Sequence, residues 1–173
     1  MEEFSLDIKF ENRYFNTEEM LREYVNVVLC RKIKIFGILI FIVGIIMMTY
    51  SLSDKNYIIS SFIGISAVIS IIISILTPSL TIKEIKENKN GINGFSKDET
   101  VVQFGDKIKF NEGAFSITIE YCQIKNIYDL KYTYILMLDK NNAIILSPTG
   151  FTKGTFEEFK DFINLMRNIY KKL

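Results

Sequence analysis

The sequence predicts an α+β membrane protein: a two-helix transmembrane hairpin, then a small antiparallel β-barrel capped by a C-terminal amphipathic helix. Three observations carry that reading. Two apolar runs between Ile35 and Leu80 are separated only by Ser53-Asp54-Lys55-Asn56, and neither run contains Asp, Glu, Lys or Arg. A spanning helix needs about 20 mostly apolar residues, and each run is long enough. From Thr100 onward, short stretches of period-two alternation are separated by turn residues, the pattern of antiparallel strands. After Thr155 the apolar spacing becomes helical.

Composition narrows the function. The 173 residues carry a net charge of +1, which excludes a strongly basic nucleic-acid binder and an acidic disordered tail. There is no histidine, so the commonest general base and metal ligand are missing. Cys30 and Cys122 share no CxxC spacing and read as small apolar residues. The first apolar run starts too far from Met1, and is too long, for a cleaved signal peptide. The predicted organisation is an N-terminal strand and helix (1–34), the hairpin (35–80), a juxtamembrane helix and linker (81–99), and the barrel domain (100–173).

Taken in order, Phe4, Leu6, Ile8 and Phe10 alternate with Ser5, Asp7 and Lys9, which predicts a half-buried strand. One strand cannot bury its own face, so it should pair with an edge of the C-terminal domain. Asn16 with Glu19 three residues later reads as a capping box. The helix it opens meets no breaker before Ile35. Arg31, Lys32 and Lys34 precede the first span, and Lys83, Lys86 and Lys89 follow the second. The connecting loop has only Lys55, offset by Asp54. The positive-inside rule therefore places both termini in the cytoplasm and the loop outside.

Ser60, Gly64, Ser66, Ala67, Ser70 and Ser74 share one side of the second span, and Gly37 and Gly44 share a face of the first. In lipid, small residues let helix backbones approach. Gly37, Gly44, Ser60, Gly64, Ala67, Ser70 and Ser74 are thus the candidate helix-packing residues, within the hairpin or, alternatively, between copies as a homo-oligomer. No ionisable residue lies within either span, which argues against an independent channel or transporter. Pro78 should end or kink the second helix. Asn90-Gly91 and Asn93-Gly94 mark the linker.

Strands are expected at Val101–Phe104, from Ile108 to Phe110, over Phe115–Tyr121, near Ile124–Asp129, over Tyr132–Leu138 and at Ala143–Leu146. That is five to seven strands. Thr155 with Glu158 at N3 opens the last helix, whose apolar stripe is Phe156, Phe159, Phe162, Ile163, Met166 and Ile169.

Three stretches carry a resemblance: Ile119-Glu120-Tyr121-Cys122-Gln123-Ile124-Lys125-Asn126-Ile127-Tyr128, then Ala143-Ile144-Ile145-Leu146-Ser147-Pro148, and Gly150-Phe151 leading into Phe156-Glu157-Glu158-Phe159. Together they resemble the YcxB-like family of bacterial membrane proteins. The layout of strand, capped helix and hairpin fits as well. The resemblance implies two spans and a C-terminal domain similar to the pleckstrin-homology fold. It brings no activity, ligand or catalytic residue. Tyr121 stands where the family often has Trp, and fills a similar apolar slot.

No phosphate-binding, nucleophile-elbow or dinucleotide motif occurs. The pairs Glu157/Glu158 and Asp98/Glu99 are explained by a helix start and a linker. Gly150, Gly154 and Thr155 place a helix N-terminus that could hold an anion, although Thr155 already supplies a cap. Lysines interleave with aromatics around Lys131-Tyr132 without an RNA-binding motif. The expected function is a non-enzymatic binding or docking module at the cell membrane, for a protein partner or anionic lipid headgroups, with no cofactor and no nucleic acid. The alternative is an accessory or immunity subunit acting through its spans within a larger membrane complex.

Overall fold

The computed structural model describes residues 8–87, 98–139 and 142–170, and divides into two units. Residues 25–84 form one; residues 1–24 and 85–173 form the other.

The first unit is the hairpin of α2 (Arg31–Ser53) and α3 (Tyr57–Glu87). Both helices are long and apolar enough to cross a membrane, by length and composition. Lys55 makes the tight turn with a positive φ of 58°. Pro78 neither ends α3 nor stands at its surface: it is buried, and the helix continues through it to Glu87. A proline removes one helical hydrogen bond, and the helix carries that loss without ending. The continuous helix expected to lead into the first span is interrupted. A π-helical stretch, Tyr24–Leu29, ends where the Cys30 N–H donates to the Val25 carbonyl at 2.8 Å, and α2 starts afresh.

The second unit is built from both sides of the hairpin. The expected strand at Phe4–Phe10 falls largely on residues 1–7, outside the described residues; strand β1 runs from Phe10 to Phe15. Its inward positions beyond Phe10 are Asn12 and Tyr14, both buried. Their polar atoms hid the strand from an apolar pattern. After it, α1 (Glu18–Glu23) is capped by Thr17, not Asn16: the Thr17 hydroxyl accepts from the Met20 N–H at 3.3 Å. Asn16 instead donates to the buried Glu112 carboxylate at 2.8 Å.

The later strands are β2 (Glu99–Phe104), β3 (Ile108–Glu112), β4 (Phe115–Ile119), β5 (Asn126–Asp129), β6 (Tyr134–Met137), β7 (Ala143–Leu146) and β8 (Phe151–Lys153). They do not close into the expected barrel. One antiparallel sheet has the order β4-β3-β2-β1-β8 and a separate one β5-β6-β7. β1 lies between β2 and β8, pairing Phe10 with Phe104 and Phe15 with Glu99. The clearest predicted strand is shorter than expected. It ends at Ile119, and Tyr121–Gln123 form a 3₁₀ turn closed by Glu120 and Gln123. Tyr121 there is buried, as an apolar slot requires, and its hydroxyl donates to the Gly105 carbonyl at 2.8 Å.

Helix α4 (Phe156–Tyr170) joins the two sheets. Thr155 and Glu158 form the predicted capping box. The fully buried Phe159 ring meets Phe104 and Phe151 from one sheet and Tyr134 from the other, with centroids 4.6, 4.9 and 5.8 Å away. Ile169, assigned to the stripe, is 47% exposed. Tyr14 adds a polar tie between the sheets, its hydroxyl donating to the Ile145 carbonyl. Burial raises the Tyr14 pKa well above its ordinary value.

Candidate functional site

The second unit carries an open groove of about 210 Å³ lined by Thr17, Met20, Lys131, Tyr132, Ser147, Pro148 and Thr149. Three chain segments meet there: the start of α1, the β5–β6 turn, and the β7–β8 turn. Each wall is held by an internal polar side chain.

The β5–β6 turn is pinned by Glu23. One carboxylate oxygen accepts from the Lys131 N–H at 3.0 Å; the other accepts from the Tyr132 N–H at 2.9 Å and the Thr133 hydroxyl at 2.8 Å. Charge-assisted bonds of this kind are roughly twice as strong as neutral ones. The carboxylate is thus occupied by the turn's own donors, and among the described residues Lys131 forms no ion pair. Its ammonium rests over the Tyr132 ring, 4.7 Å from the centroid. Interaction with the Tyr132 side chain raises the Lys131 pKa, with a smaller contribution from Glu23. Lys131 therefore stays cationic at neutral pH.

The β7–β8 turn is pinned by Asn12. Its amide, itself buried, donates to the Ser147 carbonyl at 2.8 Å and accepts from the Ser147 N–H at 3.2 Å. Gly150 closes the turn onto Ser147 and accepts from the Arg13 N–H. A Cβ at Gly150 would lie 2.6 Å from the Arg13 carbonyl, so only glycine fits this approach. The Ser147 and Thr149 hydroxyls face each other at 3.1 Å. Thr17 spends its oxygen on the Met20 N–H, which leaves its hydroxyl hydrogen free to donate.

The residues singled out from sequence lie elsewhere. In the hairpin, Gly37 abuts Ser74, Gly44 abuts Ala67, and Gly64 meets the Met48 sulfur. The Ser60 hydroxyl donates to the Met48 carbonyl at 3.2 Å, whereas Ser70 bonds within its own helix to the Ala67 carbonyl. Ser66 is exposed. The contacts repeat every seven residues: Cys30 with Thr81, Gly37 with Ser74, Gly44 with Ala67. Seven-residue spacing is the signature of a helix-helix seam, and it was readable as Cys30, Gly37, Gly44 against Ala67, Ser74, Thr81.

Of the basic residues, Arg31, Lys32 and Lys83 are exposed. Lys34 donates to Asn26 at 2.6 Å, and Lys86 lies 3.4 Å from Glu18. Lys89 falls outside the described residues. The helix start at Thr155 is occupied by the Glu158 carboxylate, which accepts from the Thr155 N–H at 3.0 Å, so it presents no vacant anion site. Glu157 pairs with Lys160 at 2.8 Å. Among the described residues, no group of three His, Cys, Asp or Glu side chains could hold a metal ion.

Residues 105–163 match the family of YcxB-like proteins. No curated protein and no solved structure matches the chain. The YcxB-like region runs from the end of β2 into α4 and supplies Lys131, Tyr132, Ser147, Pro148 and Thr149 to the groove. Thr17 and Met20 come from the segment before it. So do Glu23 and Asn12, which hold the two turns of the YcxB-like region in place.

Sequence reading found the Lys131-Tyr132 pair but gave it no role. It missed Asn12, Glu23, Ser147 and Thr149. Only the chain's return across the hairpin brings these together, and no spacing rule spans that distance.

Proposed function

We propose that this protein is a membrane-anchored, non-enzymatic binding module: a two-span hairpin tethers a pleckstrin-homology-like domain to the cytoplasmic face of the cell membrane. The observation that carries this is the position of β1. A strand that precedes the hairpin sits between two strands that follow it. A folded sheet cannot straddle a bilayer, because its ladder needs both halves on one side. Hence both ends of the hairpin emerge on the side that holds the domain. The excess of Lys and Arg at those ends favours the cytoplasm. Two antiparallel sheets joined by one C-terminal helix support the pleckstrin-homology-like reading, and the groove supports a binding role for a partner or an anionic headgroup.

Reporter fusions at Lys55 and Leu173 test the arrangement. The expected result is an outward reporter at Lys55 and a cytoplasmic one at Leu173. Activity on the same side at both positions overturns it.

The seam also bears on self-association. Gly37, Gly44, Ala67 and Ser74 are spent within the hairpin, which favours the anchor reading over one in which the same small residues dock a larger membrane complex.

A further inference from the structure

We propose that the groove between α1 and the two turns binds a phosphate-bearing headgroup-sized anion, the glycerol phosphate moiety of an anionic lipid or a soluble compound carrying the same group. This deepens the reading of the domain as a binding module and rests on it.

Three features of the groove point there. First, the groove is lined by Lys131 and by the hydroxyl-bearing residues Thr17, Tyr132, Ser147 and Thr149, with no carboxylate among its described lining residues; Ser147 and Thr149 share one hydrogen bond, so that pair keeps one hydroxyl hydrogen to donate. The carboxylate behind the wall, Glu23, has both oxygens taken by the turn. A phosphate offers several acceptor oxygens and no obligatory donor, which complements such a lining. Second, the walls are fixed before any ligand arrives. Asn12 and Thr133 are both fully buried, and each holds one turn by its side chain. Preorganised donors lose little entropy on binding. Third, size limits the ligand. Sites for drug-sized molecules run to about 300–1,000 Å³, so a groove of 210 Å³ takes a headgroup rather than a nucleotide. Met20 and Pro148 give the glycerol carbons an apolar surface.

The test uses the full chain in phosphatidylcholine nanodiscs, which expose both membrane faces. Glycerol phosphate is titrated and followed by calorimetry. Saturable binding is expected, weakened about tenfold or more by Lys131→Gln, because hydrogen bonds to charged groups carry that much. Lys125→Gln, an exposed lysine outside the groove, should leave it unchanged. Ser147→Ala is a second groove variant, and each variant is checked for an unaltered thermal melt. A second arm measures phosphatidylglycerol retained against phosphatidylcholine by native mass spectrometry. Lys131-dependent retention identifies the lipid as the source; Lys131-dependent binding of glycerol phosphate alone identifies a soluble ligand. The proposal is overturned if neither arm depends on Lys131, or if Lys125→Gln loses as much as Lys131→Gln. The reporter fusions are read independently, so a failed topology and a failed groove are distinguishable.

Discussion

Gly44→Ala probes the hairpin at its closest approach. A Cβ added there would lie 2.6 Å from the Ala67 Cβ, while the next atom, the Ala67 Cα, is 3.5 Å away. Carbon atoms rest at about 3.5–4.0 Å, so the helices must part by about 1 Å to admit one methyl. Overpacking of this kind costs roughly 1–3 kcal/mol. The reciprocal exchange, Gly44→Ala with Ala67→Gly, removes the obstacle and leaves only the ordinary contact at 3.5 Å. It also keeps one Gly and one Ala in the pair, so helix propensity nearly cancels. The exchange should therefore restore stability to within about 0.5 kcal/mol, giving a coupling of roughly 1 kcal/mol or more in a double-mutant cycle. Gly37 sets an internal contrast. Its Cβ would meet the Ser74 Cβ at 2.5 Å but also the Ser70 carbonyl at 3.3 Å, so Ser74→Gly should rescue Gly37→Ala only in part. The assay is detergent-induced unfolding of the bicelle-reconstituted protein, followed by helical circular dichroism. A silent Gly44→Ala, or an exchange as costly as the single change, would refute the antiparallel register.

Further outcomes follow from the second unit. Replacing residues 25–84 with a flexible glycine-serine linker should yield a folded protein without detergent, with dispersed amide NMR signals; deleting residues 8–16 from it should collapse that dispersion, since β2 and β8 lose their shared partner. Asn12→Ala should cost about 1–3 kcal/mol in a denaturant melt of that protein, because the partly buried N–H and carbonyl of Ser147 both lose the Asn12 amide. Glu11 is held down at about 2, against an ordinary value of 4.5, chiefly by the Arg13 guanidinium and then by Gln103. A depressed carboxylate contributes its full stability above 4.5 and loses it as the pH falls toward 2. Arg13→Ala should raise that pKa, read by carboxyl NMR, and Glu11→Gln should flatten the acid limb of the stability curve.

Where side-chain chemistry and local pattern agreed, the fold could be read ahead of the structure. The hairpin, the capping box at Thr155 and the strands with apolar alternation were legible for that reason. The failures share a physical cause. β1 turns Asn12 and Tyr14 inward, so its period-two signal is polar and the strand went unread; the strand expected at Phe4–Phe10 lies largely outside the described residues. Asn16 was a plausible cap, but a long-range carboxylate, Glu112, competes for it. Pro78 was expected to end or kink the second helix; it does not end it, and its burial is not visible in the sequence. Strand pairing order cannot be obtained from period at all. The groove was the least legible part, since Glu23 and Lys131 meet only after two long helices and four strands have been traversed.

An interrupted domain also constrains how it forms. Phe15 pairs with Glu99, so the sheet must close a long loop that contains the whole hairpin. The N-terminal strand is made first and has no partner until β2 and β8 exist. Forming the hairpin shortens the problem, because Cys30 then stands against Thr81. Only the roughly 30 residues outside that contact, rather than about 80, remain to be closed, which lowers the loop-closure cost by roughly 1 kcal/mol. That figure is modest in free energy, but it sets an order. Hairpin first and sheet second lets β1 find its place with both flanking strands already tethered nearby. The reverse order asks an exposed strand to wait beside two uncovered apolar helices. Mutations that part the seam at Gly44 should therefore slow the appearance of a protease-resistant domain during synthesis, although no residue of the seam belongs to that domain.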